Sequence, residues 1–406
     1  MLNVAVINGG RGAGTLIPAL LDQPDLQVTS IVNAYDDGKS TGEIRRFFGM
    51  LGPSDIRKVQ ELMLPKSDPD YDANKHLFRH RFAIDISAAE ACSKINEFIV
   101  GNSLDIVGAK LESHETKAAI KILLKEFTGS LAIIEKLNGK EFNFSDCSIM
   151  NCIYAGAFIY FKRDIEKASR FIDKLFRLKG SVIATSNENK YLVALRENGE
   201  VLYSESEIVE LRSNVRIDRI YLLDSLLKKE HFERLTLEEK SYYLQKHHCS
   251  VPVCPSVKLA LQEADIIIYA AGTQHSSLYP SYLSTGLAEA VADNKIATKV
   301  FITNIGADYE TPMYKASDYI SRAHRYLELS GDRKYSMEEL FSVNLINISK
   351  LKANETYVEY DEVGFSNINT KKILDAYESK EYPGKHDGNK LVKEILCQYY
   401  NYCLLN

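Results

Sequence analysis

A glycine-rich segment near the N-terminus has the composition of a phosphate-binding loop. Residues 8–15, Asn-Gly-Gly-Arg-Gly-Ala-Gly-Thr, follow an apolar strand predicted over residues 2–7 and open a helix predicted over residues 15–22. Glycines let the backbone approach a ligand closely, and a helix N-terminus offers free N–H groups and the positive end of a dipole. In this segment, the glycine loop, the residues expected to bind phosphate are Gly9, Gly10, Gly12, Gly14 and Thr15.

The spacing of these glycines departs from the dinucleotide-binding fingerprint. Counted from Gly10, the third glycine of that fingerprint would fall on Thr15, and Gly14 comes one position early. A dehydrogenase is therefore the weakest of the functions that the segment suggests. A tight turn that binds no ligand is the alternative interpretation.

A second polar segment, the acidic loop (residues 33–46), carries the adjacent carboxylates Asp36 and Asp37. Its Gly-Lys-Ser triplet resembles the end of a Walker A loop, but two carboxylates would repel a triphosphate there, so we reject that interpretation. The carboxylates could bind Mg²⁺, accept a sugar hydroxyl or act as a base, and we expect them to be catalytic. The residues expected to offer N–H, hydroxyl or guanidinium groups to an anion are Ser40, Thr41, Gly42, Arg45 and Arg46. The alternative is a turn followed by an exposed basic helix start.

Residues 52–58, Gly-Pro-Ser-Asp-Ile-Arg-Lys, form a third polar segment close behind the acidic loop. Asp55 is the predicted N-cap of a helix that begins here. Arg57 and Lys58 add two cations, and we expect both to bind phosphate. Alone, the segment would be an ordinary capped surface helix, but its proximity to the carboxylates favours a shared site.

Composition excludes several classes of function. The chain has 406 residues, 45% of them hydrophobic, and a formal net charge of −5, which argues against a general nucleic-acid binder because such proteins present a basic face. Its seven cysteines are scattered and odd in number, which favours a reducing compartment. No signal peptide is evident, and no run approaches the roughly 18 apolar residues of a membrane span. We therefore expect a cytoplasmic protein without a membrane partner.

Four predicted strands alternate with helices, a pattern typical of a doubly wound, mostly parallel, Rossmann-like α/β sheet. The predicted strands are residues 2–7, 27–33, 265–270 and 299–304. Ligands bind at the carboxyl ends of such strands, so the loops there should line one crevice. Those loops are residues 8–14, 34–42, 271–277 and 304–311.

The predicted domain covers residues 1–325, with a helical insertion at about 64–145 and a hairpin at about 190–222. The pair Asn198-Gly199 between apolar flanks is a strong hairpin-turn signal. Residues 326–406 are predicted to be a C-terminal extension that packs on this domain.

A basic cluster lies at the start of the helical insertion. A solvated helix face is the expected role, and a phosphate clamp that folds over the crevice is the alternative. The cluster comprises Lys75, His76, Arg79, His80 and Arg81.

The three polar segments together resemble the CofD/YvcK family. The shared order is Asn-Gly-Gly-x-Gly, then Asn-x-x-Asp-Asp-Gly-x-Ser-x-Gly-x-x-Arg, then Pro-x-Asp-Ile-Arg. Downstream, the Ser-Ile-Met-Asn segment that ends at Asn151 is similar to the family's Ser-Phe-Gly-Asn. Gly272 and Thr273 resemble a second phosphate-loop region, and Asn304 ends a strand as in the family. The resemblance covers roughly residues 1–325.

This resemblance implies a Rossmann-like domain with phosphates on the glycine loop and a second substrate near Asp36 and Asp37. The family contains 2-phospho-L-lactate transferases of deazaflavin-cofactor synthesis, in which magnesium assists transfer of a phospholactyl group from a nucleotide diphosphate carrier. It also contains YvcK-like proteins that bind UDP-sugars. By the same resemblance, the ligand-binding residues downstream are Asn151, Gly272, Thr273 and Asn304.

The Ser-Asp-Ile-Arg segment at residues 54–57 has the YvcK-like form, so deazaflavin is not the expected acceptor. We expect a Mg²⁺-assisted CofD-like transferase that moves a phosphate-linked group from a nucleotide diphosphate carrier to an acceptor hydroxyl. The alternative is a YvcK-like regulatory protein that binds a nucleotide sugar such as a UDP-sugar without catalysis. We expect a homodimer in either case.

Overall fold

A computed structural model describes residues 1–101, 108, 110–352 and 356–405. Its centre is a seven-stranded sheet in the order β12-β11-β10-β8-β1-β2-β3. The strands are β1 (Leu2–Asn8), β2 (Leu26–Val32), β3 (Ser181–Ala184), β4 (Tyr191–Arg196), β5 (Val201–Leu202), β6 (Ile217–Leu223), β7 (Val251–Pro252), β8 (Ile266–Tyr269), β9 (Ser284–Thr285), β10 (Thr298–Ile302), β11 (Val343–Asn347) and β12 (Lys371–Asp375).

Helices lie on both faces of this sheet and form the insertion between β2 and β3. They are α1 (Leu16–Leu21), α2 (Lys39–Phe48), α3 (Ser54–Leu62), α4 (Tyr71–Arg79), α5 (Ala88–Val100), α6 (His114–Asn138), α7 (Ile149–Tyr160), α8 (Ile165–Leu175), α9 (Glu205–Glu210), α10 (Lys229–Phe232), α11 (Leu237–His247), α12 (Pro255–Gln262), α13 (Tyr279–Tyr282), α14 (Leu287–Asp293), α15 (Ala316–Ser330), α16 (Met337–Leu340) and α17 (Gly388–Leu405). None of the helices in these ranges is both long and apolar enough to cross a membrane.

Every strand pair of the central sheet is parallel, as the alternation of strands and helices predicts. The four predicted strands correspond to β1, β2, β8 and β10, and their apolar runs are buried because helices cover both faces. Strand order reverses between β1 and β8, which places the topological switch point between the glycine loop and the loop after β8. The doubly wound, Rossmann-like fold class is therefore confirmed.

The chain between β2 and β3 is helical, and its helices carry part of the site. The 25-residue α6 packs along α7, the helix on which Asn151 lies. At Gly156 the two helices touch so closely that a Cβ atom would overlap the backbone carbonyl of Leu123. This close approach fixes the distance between α6 and α7.

The C-terminal segment contributes to the central sheet itself. Beyond residue 325, β11 and β12 add two parallel strands next to β10, and α17 packs against α1. The first residue of α17, Gly388, lies so close to the Thr15 carbonyl that a Cβ atom would overlap it. The segment predicted as an extension thus borders the glycine loop.

The predicted hairpin is formed by β4 and β5, with Gly199 at a φ of +84°. With β6 it makes a small antiparallel sheet beside the main one. The helix that follows the hairpin, α9, carries Glu205 to the acidic loop.

The contact between α6 and α7 yields a prediction for stability. We expect Gly156→Ala to lower the free energy of unfolding by about 1–3 kcal/mol, because the new methyl group must push α6 away from α7. Urea unfolding measures the change.

Gly129→Ala on α6 is the matched control, since a Cβ atom there meets nothing within 4 Å. It should raise the free energy of unfolding by roughly 0.5–1 kcal/mol through helix propensity. Equal effects of the two substitutions would contradict the proposed packing constraint.

Candidate functional site

The glycine loop lies between the N-terminus of α3 and the Gly–Thr loop, residues 271–277. Gly10 has a φ of +74°, and a Cβ atom there would come within 2.9 Å of Asp55 Oδ1. A Cβ atom on Gly12 would overlap the carbonyl of Ala271 and lie 2.7 Å from Gly272 Cα. These glycines therefore allow a close approach of three backbone segments, and any side chain would separate them.

Asn304, expected to bind a ligand, uses its side chain on the Gly–Thr loop. Its Oδ1 accepts a hydrogen bond from Gly272 N at 3.0 Å, and its Nδ2 donates to Gly272 O at 2.9 Å. Thr273 Oγ1 donates to Ser277 Oγ at 2.9 Å, and Ser277 is also the residue that faces Gly9. Asn304 thus fixes the conformation of a loop that borders the crevice.

Glu310 anchors the same loop from the other side. Its buried carboxylate accepts hydrogen bonds from His275 N at 2.8 Å, Ser276 N at 3.0 Å and Ser276 Oγ at 2.6 Å. Burial and the nearby Asp308 raise the pKa of Glu310 to about 7. Asn33 Nδ2 donates to Ser276 O at 3.0 Å, which ties the loop to the end of β2.

The acidic loop is joined to α3 through Lys58. Its ammonium lies 2.8 Å from Asp55 Oδ1 and 3.5 Å from Asp36 Oδ2. Burial raises the pKa of Asp55, and Asp36 adds repulsion, while Lys58 opposes both effects. Burial alone would lower the pKa of Lys58, but Asp55 and Asp36 raise it above its ordinary value. The ammonium therefore stays charged between the two carboxylates.

Asp37 faces α9. Its Oδ1 accepts a hydrogen bond from Ser206 N at 3.0 Å, and its own N–H donates to Glu205 Oε2 at 3.4 Å. Burial raises the pKa of Asp37. Burial and repulsion from Asp36, Asp37 and Asp55 raise the pKa of Glu205 to about 9. Sequence reasoning missed Glu205, because 168 residues separate it from Asp37.

Asn151 joins the N-termini of α2, α3 and α7. Its Nδ2 donates to Ser40 Oγ at 3.2 Å and Thr41 Oγ1 at 3.4 Å, and its Oδ1 accepts from Arg57 Nε at 3.0 Å. Arg57 also donates to the carbonyl of Phe78 at 3.1 Å. All of these side chains are buried. Residues from three separate sequence motifs thus meet at one amide.

The two arginines of α2 have other partners. Arg45 is buried and donates to the carbonyls of Tyr35 at 2.7 Å and Lys190 at 2.6 Å, so it holds the acidic loop against the segment before β4. Burial lowers its pKa. Arg46 is half-exposed and pairs with Glu43 at 2.9 Å. At Gly42, a Cβ atom would overlap the carbonyl of Asp37, so the first turn of α2 packs directly on the residues that precede it.

The helices that meet at Asn151 lack side-chain caps. Their N-cap residues are Gly38 for α2, Pro53 for α3 and Ser148 for α7, and none of them makes a capping hydrogen bond. Elsewhere, α5, α6, α8 and α11 each begin with a Ser, Asp or Thr that does. An uncapped N-terminus leaves N–H donors and the positive end of the helix dipole available to an anion. At α7, however, Ile149 N already donates to the carbonyl of His80 at 3.3 Å, and α3 carries the buried Asp55 in its first turn.

A cavity of about 700 Å³ opens at the carboxyl ends of β1, β8 and β10. Its walls come from the glycine loop, the Gly–Thr loop, the loop after β10, the C-terminal segment and the end of α4. The residues that line it are Gly12, Gly14, Thr15, Arg79, Ala271, Gly272, Asn304, Ile305, Gly306, Ala307, Tyr382, Gly384, Lys385 and His386. Its volume lies in the range of small-molecule sites.

The predicted magnesium ligands can be compared with their actual partners. Asp36 Oδ1 accepts from Gly38 N at 3.1 Å, and its Oδ2 faces Lys58. Within the described parts of the chain, no three His, Cys, Asp or Glu side chains are grouped to hold a metal. Mg²⁺ in nucleotide sites uses one or two carboxylates together with substrate phosphates. The residues therefore fit a cation that arrives with a phosphate ligand, and do not form a cage of their own.

Strand order, the position of the crevice and its glycine loops define a Rossmann-like protein with its site at the topological switch point. The chain belongs to the CofD family, since the family model described as 2-phospho-L-lactate transferase CofD matches residues 4–384. That match extends past residue 325 and includes Tyr382 and Gly384, two of the C-terminal residues that line the cavity.

Curated relatives agree with this assignment. A gluconeogenesis factor of Listeria monocytogenes is 25% identical over 325 residues, which are 80% of this chain and 73% of the relative. A gluconeogenesis factor of Listeria innocua matches with the same identity and coverage. The chain is also similar to the crystal structure of protein BH3568 from Bacillus halodurans, with a TM-score of 0.67 and 22% identity over 97% of this chain and 99% of that one. A second structure of that protein describes it as a member of the UPF0052 family.

The environment of Glu205 yields a prediction for pH dependence. Its pKa is raised from 4.5 to about 9 in the folded protein, so the fold retains a proton that the unfolded chain releases between these values. Stability should therefore fall as the pH rises through this window. We expect Glu205→Gln to flatten the fall and to stabilise the protein by about 1–3 kcal/mol near pH 8, since proton sharing in the cluster reduces the full linkage value.

Urea unfolding between about pH 5 and pH 9 measures the two profiles. Glu210→Gln changes an exposed residue of the same helix and should leave the wild-type slope unchanged. Parallel profiles for wild type and Glu205→Gln would show that Glu205 does not hold the proton.

Proposed function

We propose that the crevice binds a nucleotide diphosphate conjugate, with its diphosphate over the glycine loop and near the N-termini that meet at Asn151. The convergence of α2, α3 and α7 is the observation that carries this proposal. Each N-terminus contributes about half a positive charge, and Arg57 adds a full one at the same place. Ser148 Oγ, buried at the start of α7, has no hydrogen-bond partner among the described residues. This positive charge favours an anion on the adjacent glycine loop, which packs against α3.

The function that we propose is transfer of the phosphate-linked group to an acceptor hydroxyl. The acceptor oxygen forms a bond to the distal phosphorus, the bond from that phosphorus to the bridging oxygen breaks, and a nucleoside monophosphate leaves. Asp36 takes the hydroxyl proton, because its carboxylate is kept in position by Gly38 N and Lys58. Mg²⁺, when bound with the ligand, would neutralise phosphate charge beside Asp36 and Asp37.

Uncapped N–H groups, Arg57 and Lys58 stabilise the negative charge that develops on the phosphate oxygens and on the leaving group. Glu205 and Asp37 keep the far side of the acidic loop in place, so the Asp36 carboxylate stays close to α3. In this proposal Asp36 accepts the proton, whereas Glu205 and Asp37 hold the Asp36 carboxylate in position.

One observation favours the alternative, a protein that binds a nucleotide sugar and regulates without catalysis. Lys58 already neutralises Asp36 and Asp55, and Asp37 accepts a backbone hydrogen bond, so the carboxylates have structural partners. The relatives named gluconeogenesis factor are also named for a physiological role and not for a reaction. The same crevice would then report the concentration of its ligand.

Measurements of ligand binding and of turnover distinguish the transferase from the regulatory protein. Calorimetry with UDP-sugars, GDP and NAD, each with and without Mg²⁺, should show binding of a nucleotide diphosphate or its conjugate and no binding of NAD. Release of nucleoside monophosphate in ³¹P NMR, with a panel of hydroxyl acceptors, would support the transferase. Tight binding of a UDP-sugar without release would support the sensor. Failure of every nucleotide to bind would refute the crevice proposal.

For the transferase we expect Asp36→Asn to lower kcat about 100- to 10,000-fold while Kd for the nucleotide changes little, since the amide cannot accept the proton. Asp22→Asn, outside the acidic loop and beyond the end of α1, is a control that should match wild type. Equal turnover by Asp36→Asn and wild type would exclude Asp36 as the base.

A further inference from the structure

A segment near the C-terminus, the strap (residues 378–386), borders the crevice. Along the chain it lies far from all the motifs described above. It follows β12 and leads into α17. Tyr382, Gly384, Lys385 and His386 of the strap line the cavity opposite the glycine loop.

The strap is held in one conformation by Glu378, a buried carboxylate. It accepts hydrogen bonds from Gly384 N at 2.7 Å, Leu351 N at 2.9 Å and Tyr357 Oη at 2.8 Å. Burial alone would raise the pKa of Glu378, but these donors lower it below its ordinary value, so the carboxylate stays ionised. Gly384, at a φ of +88°, makes the turn that presents the next residue, Lys385.

His386 attaches the strap to the sheet. Its Nε2 lies 3.1 Å from the carbonyl oxygen of Thr303, which can only accept, so Nε2 carries the proton. Burial lowers the pKa of His386 to about 4, and the ring is therefore neutral. Nδ1 is then unprotonated and can accept a hydrogen bond.

The charge of the cavity is positive. Among the residues that line it, Arg79 and Lys385 are cations, and none is an aspartate or glutamate. Arg79 already pairs with Glu61. Lys385 is exposed and makes no ion pair with the described residues. An anionic ligand in the cavity would meet this ammonium without having to break an existing ion pair.

The glycine loop lies between this cavity and the carboxylate cluster. Gly12 and Gly14 line the cavity, whereas Gly10 touches Asp55 on the other side. We propose that the nucleoside lies in the strap cavity, that Lys385 pairs with the adjacent phosphate, and that the linked group points toward Asp36. This inference rests on the proposed function and assigns the direction of the ligand within the site.

The test is titration calorimetry of the full chain with UDP and GDP at two salt concentrations. Lys385→Met should weaken Kd for the nucleotide that binds about tenfold and reduce the salt dependence of binding, since one charge-assisted contact is lost. Lys380→Met removes an exposed lysine of the same strap that does not line the cavity, and it should bind within about twofold of wild type. Unfolding midpoints of both variants should equal that of wild type, because neither lysine is buried.

The outcomes separate the two proposals. If wild type binds neither nucleotide nor any conjugate, the proposed function fails. If wild type binds and Lys385→Met binds equally well, only the assignment of the strap fails. Equal losses in the Lys385 and Lys380 variants would indicate a general effect of surface charge and would also overturn the assignment.

Discussion

The hydrogen bonds of Asn151 are the constraint on which the rest of the site depends. One buried amide accepts from Arg57 and donates to Ser40 and Thr41, so it fixes three helix starts relative to one another. An amide suits this position because it offers both a donor and an acceptor without adding charge. Three positive helix ends so close together repel, and this arrangement is stable only where packing enforces it or an anion compensates it.

Packing holds the three helix ends together. The contact between Gly156 and α6 fixes the position of α7 relative to α6, and Arg45 fixes the acidic loop to the chain before β4. On the opposite side, Lys58 compensates Asp36 and Asp55, so the negative loop can remain beside the positive helix ends. Removing one partner from such a buried set leaves the other charge unpaired, which costs more than the pair itself contributes.

Sequence predicted four strands of the sheet and the loops at their carboxyl ends. Of the residues predicted to bind a ligand, five line the cavity, namely Gly12, Gly14, Thr15, Gly272 and Asn304. The spacing of the glycines and the adjacent carboxylates are local features of the sequence, so they can be recognised without knowledge of the fold. Glu205, Glu310 and the strap could not be predicted from the sequence, because tertiary packing alone brings each of them to the crevice from a distant segment. The partners of Arg45 were equally hidden, since Lys190, whose carbonyl oxygen it binds, lies 145 residues further along the chain.

The strands that sequence reasoning did not assign explain why the crevice is closed on one side. In a parallel sheet each added strand requires a long crossover, so β11 and β12 bring intervening chain with them to the carboxyl edge. The strap, which follows β12, lies at this same edge and is anchored at Glu378 and at Thr303. Binding energy from a nucleoside held there would position the linked group at Asp36 whether that group is transferred or only sensed. Under this proposal, catalysis and sensing would differ only at the carboxylate end of the crevice, and the nucleoside end would serve both.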